Sequence, residues 1–291
     1  MKSFSYQPIR SLLFVPGNRP DRFDKAIDSP ADAVVIDLED AVPLDQKDAA
    51  RDNVREKLAT HSGKRILVRV NALPTEFLAA DLSEIISATL WAIMVPKVNN
   101  PEDIRSICKI LGQAEERQGI NVGTIALLPL IESASGLQHI FEIVSQQSDP
   151  PRIFTAAFGA LDYALDMGTD VAGDGSNLSY ARSRIAVACR AAGLAPPLDT
   201  PYTKLKDEPG LRSDALRAKQ LGFQGKLCIH PDQTQICNDV FRPTKEQIEF
   251  AKKVIEASEQ AQAEGLGAIQ VAGRMVDAPI VAWARQTLKW S

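Results

Sequence analysis

The chain has 291 residues, of which 45% are hydrophobic and 24% are charged, with a formal net charge of −4. This length is enough to bury one large core or two smaller ones. So small a net charge produces no broad field that would favour nucleic acid or an anionic membrane as a partner. The longest apolar stretches run about ten residues and are interrupted, so none is long enough to span a bilayer. Residues 1–8 lack the apolar core of a secretory signal.

The cysteines and histidines also restrict the kind of site that this chain can build. The four cysteines show no CxxC pair, and the chain has only three histidines. Structural zinc sites use closely spaced cysteines and histidines, so this composition disfavours zinc. We expect reduced thiols in a cytoplasmic protein.

Short apolar segments alternate with helical patterns along most of the chain, as in parallel βα units. Eight of them read as strands, at residues 11–15, 33–37, 66–70, 92–95, 125–128, 153–157, 197–199 and 226–229, the seventh being the weakest. Eight strands in about 220 residues predict a (β/α)8 TIM barrel rather than a doubly wound sheet. No GxGxxG follows the first strand, which further disfavours a dinucleotide-binding fold.

Helical patterns occupy residues 45–58, 101–117 and 178–192 between these strands. Asn100 precedes Pro101, and Glu102 and Asp103 follow it, which is a strong helix start. Beyond the eighth unit we predict helices over residues 243–264 and 279–290, separated by an irregular stretch over 268–277. The predicted organisation is therefore a catalytic barrel over residues 1–240 and a C-terminal extension over 241–291, serving as a lid or an oligomer contact.

Two acidic residues follow neighbouring predicted strands, Glu132 after the fifth and Asp162 after the sixth. Arg69 lies near the end of the third, and in a (β/α)8 barrel such groups gather at one face. Two carboxylates completed by water are a coordination that magnesium accepts, so we predict a metal site at Glu132 and Asp162. The alternative is that each acid caps the helix that follows it.

Arg69 lies within an apolar strand pattern, and a buried arginine needs an anion. Asp37, Glu39 and Asp40 place three acids within four residues, and we expect some of them to bond to Arg69 or to metal-bound water. An internal salt bridge from Arg69 to Asp37 or Glu39 is the purely structural alternative. Lys97 could form a Schiff base, but we favour its pairing with these acids.

Other polar residues at the strand ends have weaker interpretations. His230 ends the last strand, where a lone histidine is more often a structural hydrogen-bonding group than a base. The basic residues around the first helix, Arg19, Arg22 and Lys25, could hold a phosphorylated cofactor tail or form a solvated face.

Taken in order, these segments resemble the citrate lyase β-subunit family of the HpcH/HpaI aldolase superfamily, which includes malyl-CoA and citramalyl-CoA lyases. The motifs that carry the resemblance are RSLLFVPGNRP (10–20), DLEDAV (37–42), VRVN (68–71), VPK (95–97), LIES (130–133), FGALD (158–162), GKLCIHP (225–231) and GRMVDAP (273–279). They are spread over nearly the whole chain, which makes chance similarity a poor explanation.

The resemblance implies a homo-oligomeric TIM barrel, trimeric or hexameric, with Mg²⁺ held by Glu132 and Asp162. It implies that Arg69 binds the 2-oxo acid and stabilises an enolate. It also implies that Asp277 is an acid delivered by the C-terminal lid of a neighbouring subunit. The positions implied to assist catalysis or to lie near the CoA thioester are Glu39, Asp40, Pro16, Arg19 and Lys25.

The activity that the resemblance implies is reversible, magnesium-dependent cleavage of a 3-hydroxyacyl-CoA into acetyl-CoA and a 2-oxo acid. Citramalyl-CoA or malyl-CoA is the expected substrate, giving pyruvate or glyoxylate. A citryl-CoA or citryl-carrier lyase β subunit, a thioester hydrolase, a CoA-independent metal aldolase and a non-catalytic partner subunit remain as alternatives.

Overall fold

The computed structural model describes residues 7–290 except 147, 172–174 and 264–268. The chain divides into two compact units. One comprises residues 9–238, and the other comprises residues 239–290 with Gln7 and Pro8. Within the described residues, no helix combines the length and the apolar character needed to cross a membrane.

Residues 9–238 form a closed barrel of eight parallel strands, each paired with the strands before and after it in the chain, which confirms the predicted TIM barrel. The strands are β1 (Ser11–Pro16), β2 (Ala33–Asp37), β3 (Arg65–Arg69), β4 (Ala92–Val95), β5 (Ala126–Ile131), β6 (Ala157–Phe158), β7 (Leu198–Asp199) and β8 (Gly225–Cys228).

The helices of this unit are α1 (Phe23–Asp28), α2 (Lys47–Thr60), α3 (Phe77–Ile85), α4 (Pro101–Arg117), α5 (Ala134–Gln138), α6 (Ile140–Val144), α7 (Ala160–Asp166), α8 (Ser179–Ala191), α9 (Glu208–Gln220) and α10 (Pro231–Phe241), the last of which continues past residue 238. The predicted start of α4 is confirmed. The Asn100 side chain accepts hydrogen bonds from the main-chain N–H groups of Glu102 and Asp103, in a complete capping box.

The strands are apolar runs rather than alternating patterns because both of their faces are covered. All five residues of β2 and all six of β5 are buried. Side chains from alternate positions, including Leu12, Val35, Leu67 and Leu128, fill the barrel interior. The remaining positions face the helices, and the polar ends of the strands are left to form the site.

The sixth and seventh strands are the shortest, at two residues each. The predicted sixth strand, 153–157, is therefore mostly irregular, with one isolated bridge between Ile153 and Leu127. Main-chain hydrogen bonds still join this segment to both neighbours, from Phe154 N to Leu127 O at 3.5 Å and from Ala195 N to Phe154 O at 3.1 Å. The Thr155 hydroxyl lies 2.8 and 2.9 Å from the carbonyl oxygens of Ala195 and Pro196 and adds a side-chain link to the chain before β7.

The second unit contains α11 (Lys245–Ala263), β9 (Ile269–Val271), β10 (Arg274–Val276) and α12 (Ala278–Lys289). The prediction of an irregular stretch over 268–277 is wrong for its described part, because β9 and β10 form an antiparallel hairpin. Its turn residues, Ala272 and Gly273, have φ values of 49° and 76°. Both lie in the left-handed region that a two-residue hairpin turn requires, which the apolar pattern did not reveal.

Candidate active site

Arg69 lies at the carboxyl end of β3 and is held by acids at the end of β2 and just after it. Its Nε and Nη2 donate to the two carboxylate oxygens of Asp37 at 2.7 and 2.6 Å, and its Nη1 lies 2.9 Å from Glu39 Oε2. Burial by itself would lower the pKa of Arg69, but the bonds and charge of Asp37 outweigh it and raise this pKa above its ordinary value. The predicted internal salt bridge therefore exists, and the guanidinium stays charged.

Glu39 is the second carboxylate of this group and is 5% exposed. Lys97 Nζ lies 2.8 Å from Glu39 Oε1 and 3.6 Å from Asp40 Oδ1, which confirms that Lys97 pairs with the acids. Burial raises the pKa of Glu39, while the charges of Arg69 and Lys97 oppose that rise. Asp40 is half-exposed and lies 3.6 Å from Arg69 Nη1.

Glu132 follows β5 and is 4% exposed. The main-chain N–H of Lys97 donates to its Oε1 at 2.7 Å. Burial and the negative charge of Glu39 raise the pKa of Glu132 to about 8, with a smaller contribution from Asp162. Mutually repelling, desolvated carboxylates of this kind are stabilised when a cation joins them.

Asp162 reaches the same place from a different element than predicted. It lies in the first turn of α7, because β6 ends at Phe158 and the helix starts two residues later. Capping does not explain either acid. Ser133 caps α5 by accepting from Gly136 N at 3.0 Å, and Gly159 occupies the N-cap of α7. The capping alternative for Glu132 and Asp162 is therefore wrong.

Gly159 was missed in the sequence but shapes the site directly. A Cβ built on it would lie 2.7 Å from Glu132 Oε2 and 2.8 Å from Glu132 Cβ. The absence of a side chain at this position lets the Glu132 carboxyl group pack against the chain that carries Asp162. The sequence contained no separate signal for this close approach.

Two cavities meet at this group of residues. The smaller, of about 200 Å³, contains Glu132, Asp162, Arg69 and Asp40, and its remaining lining is Phe14, Leu130, Gly159, Ala160, Leu161, Thr200, Pro201, Leu227 and Ile229. The larger, of about 930 Å³, shares Phe14, Asp40, Arg69 and Ile229 with it. The Arg69 guanidinium carbon lies 5.2 Å from the centre of the Phe14 ring. An extended ligand can thus place one end beside the acids and the rest in the larger cavity.

The larger cavity contains two of the predicted CoA-binding positions besides Arg69, namely Pro16 and Lys25, and also Arg22 and His230. Arg19 is not among its lining residues and bonds instead to the exposed Asp21 through Nε and Nη2, at 2.8 and 2.7 Å. Asp277 caps α12 in the C-terminal unit, accepting from Ile280 N at 3.4 Å.

A buried lysine, Lys47, holds the main chain of the segment that carries Glu39, a role that the sequence analysis did not predict. Lys47 Nζ donates to the carbonyl oxygens of Leu38 and Glu39 at 2.6 and 2.7 Å and to Asn71 Oδ1 at 2.8 Å. Burial lowers its pKa. A lysine in the first turn of a helix normally lies in solvent, so no sequence pattern identified this role.

The donor set at Glu132 and Asp162 suits a hard divalent cation. No cluster of three or more acidic, histidine or cysteine side chains suited to a metal is found within residues 7–290 outside the gaps. Magnesium, however, commonly takes only one or two protein carboxylates and keeps several waters. The two carboxylates fit that pattern and leave positions that a substrate can take.

The sequence profile of the HpcH/HpaI aldolase/citrate lyase family matches residues 10–231, and that of a carbon–carbon bond lyase family of the TIM-barrel fold matches residues 183–291. The chain is 39% identical to the citrate lyase subunit beta of Leuconostoc mesenteroides subsp. cremoris over 96% of this chain and 92% of the relative. It is 35% identical to the L-malyl-CoA/beta-methylmalyl-CoA lyase of Rhodobacter capsulatus over 92% and 90% of the two chains.

Among solved structures, the chain is similar to protein CitE from Mycobacterium tuberculosis in complex with magnesium, acetoacetate and coenzyme A. The two share 29% identity with a TM-score of 0.78, over 98% of each chain. The family predicted from the sequence motifs is therefore confirmed. This chain belongs to the HpcH/HpaI aldolase/citrate lyase family and is a carbon–carbon lyase built on a TIM barrel.

Proposed function

We propose that the protein is a magnesium-dependent lyase that cleaves a 3-hydroxyacyl-CoA of the citramalyl-CoA or malyl-CoA type. The products are acetyl-CoA and a 2-oxo acid, pyruvate or glyoxylate, and the reaction is reversible through the enolate of acetyl-CoA. The observation that carries this proposal is the small cavity in which Glu132, Asp162 and Arg69 come together beside a much larger one.

The cavity's composition favours a substrate with one carboxylate at the reacting end. Apart from Arg69, its lining residues are acidic, apolar or uncharged. Arg69 already carries the Asp37 carboxylate. A second carboxylate, as in a citryl thioester, would lie against side chains such as Leu161 and Ile229 without a cation from these residues. Because the chain is also similar to citrate lyase beta subunits, a citryl thioester is the alternative substrate.

The larger cavity suits the CoA portion. Arg22 and Lys25 line it, and CoA carries several phosphate charges that such side chains attract. The curated relative that acts on malyl-CoA and the solved structure that contains coenzyme A support the same assignment. We keep Arg19 as a predicted CoA-binding residue, which would first have to leave its pair with Asp21.

Glu132 and Asp162 would hold the magnesium ion, which supplies a Lewis acid that lowers the pKa of the substrate hydroxyl. Asp40, which is half-exposed and lines the smaller cavity, would accept the hydroxyl proton. Cleavage of the adjacent carbon–carbon bond then releases the enolate and the 2-oxo acid. Arg69, fixed by Asp37 and Glu39, stabilises the negative charge that develops on oxygen, and it needs no reorganisation to do so.

The enolate carbon needs a proton, and we propose that Asp277 of a second copy of the chain supplies it, as the family resemblance implies. In the synthetic direction the same carboxylate would remove that proton. If the acid acts across subunits, mixing Arg69→Ala and Asp277→Ala subunits should restore part of the activity. Verified mixed oligomers that stay inactive would contradict this arrangement.

The test is release of the acyl-CoA product (acetyl-CoA from citramalyl-, malyl- and citryl-CoA, and propionyl-CoA from β-methylmalyl-CoA), first with Mg²⁺ and then with EDTA. We expect cleavage of citramalyl-CoA or malyl-CoA that EDTA abolishes and Mg²⁺ restores. Glu132→Gln should be inactive under both conditions. Cleavage of citryl-CoA alone would favour the citrate lyase alternative. No cleavage of any of the four thioesters would refute a stand-alone CoA lyase.

A further inference from the structure

Lys97 contacts two different acids of the site with two different groups. Its main-chain N–H donates to Glu132 Oε1 at 2.7 Å, and its ammonium lies 2.8 Å from Glu39 Oε1. Lys97 therefore links Glu132, a proposed metal ligand, to Glu39, the carboxylate that pairs with Arg69.

The backbone of Lys97 has a φ of 54°, in the left-handed region that residues with a side chain seldom adopt. Such conformations persist when the surrounding structure requires them, and they are concentrated at functional sites. Here the turn follows β4 directly and directs the main-chain N–H of Lys97 at Glu132. Glycine would adopt the same turn more easily but would carry no ammonium group.

Glu39 is held in place by two cations, one on each of its buried carboxylate oxygens. Oε2 lies 2.9 Å from Arg69 Nη1, and Oε1 lies 2.8 Å from Lys97 Nζ. Removing the Lys97 charge would therefore free one of these two oxygens.

A freed Glu39 carboxylate would have an obvious new partner. Lys97 contacts both Glu39 and Glu132, at 2.8 and 2.7 Å, so the two carboxylates flank one residue and a divalent cation at Glu132 would attract a freed Glu39. A third carboxylate on the ion would displace water and take a position that the substrate's hydroxyl or carboxylate needs. Holding Glu39 away from the metal therefore matters for turnover.

We propose that Lys97 is a positioning residue that orients Glu132 through its main-chain N–H and, through its ammonium, keeps Glu39 bound to Arg69 and out of the metal's coordination sphere. This inference rests on the proposed metal site at Glu132 and Asp162. A merely structural ion pair would make a different prediction, because its loss would lower stability without changing how many waters the metal keeps.

The test uses Mn²⁺ in place of Mg²⁺, with electron paramagnetic resonance to count free ion and water proton relaxation to report inner-sphere water. In Lys97→Met we expect Mn²⁺ binding about tenfold tighter, a lower relaxation enhancement and a kcat about 10 to 100-fold lower. Lys97→Arg, which keeps the charge, should stay close to the parent in all three measurements. Lys109→Met, on the exposed side of α4, controls for the change in net charge.

The double variant Lys97→Met with Glu39→Gln identifies the carboxylate responsible. We expect it to bind Mn²⁺ as Glu39→Gln alone does, because the extra ligand is then missing. If Lys97→Met matches Lys109→Met, or if the tightening persists in the double variant, the role proposed for Lys97 is wrong. If the parent binds no Mn²⁺, or Glu132→Gln binds it equally well, the proposed metal site is wrong instead.

Discussion

Replacing Gly159 by alanine tests whether the position of Glu132 governs the site. The added Cβ would lie 2.7 Å from Glu132 Oε2 and 2.8 Å from Glu132 Cβ, whereas ordinary contacts begin at 3.4 Å. One side chain must therefore move by about 0.7 Å, the difference between 3.4 and 2.7 Å. The backbone at Gly159, with φ −104° and ψ 83°, imposes no left-handed strain, so the effect is steric.

A displacement of this size is large for a residue proposed to bind the metal. We expect Gly159→Ala to lose about 1–3 kcal/mol of stability through overpacking and on the order of 100-fold in kcat/KM through misplacement of Glu132. Mg²⁺ affinity should weaken in parallel. Isothermal titration, acetyl-CoA release and urea unfolding measure the three effects separately.

Gly112 provides a matched control for the same substitution. It lies within α4, and a Cβ there would meet its nearest neighbour, Val122 Cγ1, at 3.5 Å, which is an ordinary contact. Gly112→Ala should therefore leave activity and Mg²⁺ affinity unchanged and should not lower stability. If Gly159→Ala behaves like Gly112→Ala, the close packing of Glu132 against Gly159 does not control the site.

Three further results are expected. Because burial raises the pKa of Glu132 from 4.5 to about 8, the folded protein retains this proton where the unfolded chain loses it. The contribution of protonated Glu132 to the free energy of unfolding is fully present below pH 4.5 and is lost as the pH rises to about 8. The Tm of the metal-free protein should therefore fall across that window. A Glu132→Gln variant with the same decline would contradict this origin. Arg69→Lys keeps the charge but loses the paired hydrogen bonds to Asp37, so kcat in acetyl-CoA release assays should drop about 100 to 1,000-fold. A kcat equal to that of the parent would show that Arg69 has no catalytic role. Asp277→Asn keeps the α12 cap but loses the acid, so it should unfold like the parent and lose most cleavage. Asp277→Ala should in addition lose about 1 kcal/mol of stability. Full turnover in Asp277→Asn would exclude it as the proton donor.

Local patterns predicted the architecture well. Apolar runs of strand length, each followed by a helical pattern, indicated eight parallel βα units, and the barrel contains all eight. The capped start at Asn100 marked the beginning of α4, which spans Pro101–Arg117. These features depend on burial and on contacts within a few residues, and both can be predicted from the local order of amino acids.

The hydrophobic pattern predicted the structure less well in segments whose local strand or loop preference differs from the conformation that tertiary packing imposes. Residues 153–157 have strand composition, yet only Ala157 lies in β6, although Phe154 and Ala156 keep main-chain hydrogen bonds to neighbouring segments. The hairpin at β9 and β10 depends on a turn in which alanine takes a left-handed conformation, and composition does not predict that choice.

The sequence by itself determined the barrel, the family and the identity of the acids and the arginine, because apolar periodicity and ordered motifs are properties of the chain. Only the tertiary structure decided which of these groups meet. The register of β2 against β3 places Asp37 opposite Arg69, although 32 residues separate them. The pairing of β4 with β5 brings Lys97 to Glu132, and the Glu132 carboxyl group fits only because position 159 is glycine. Distances of this kind arise from the packing of segments remote in sequence, which no local pattern records.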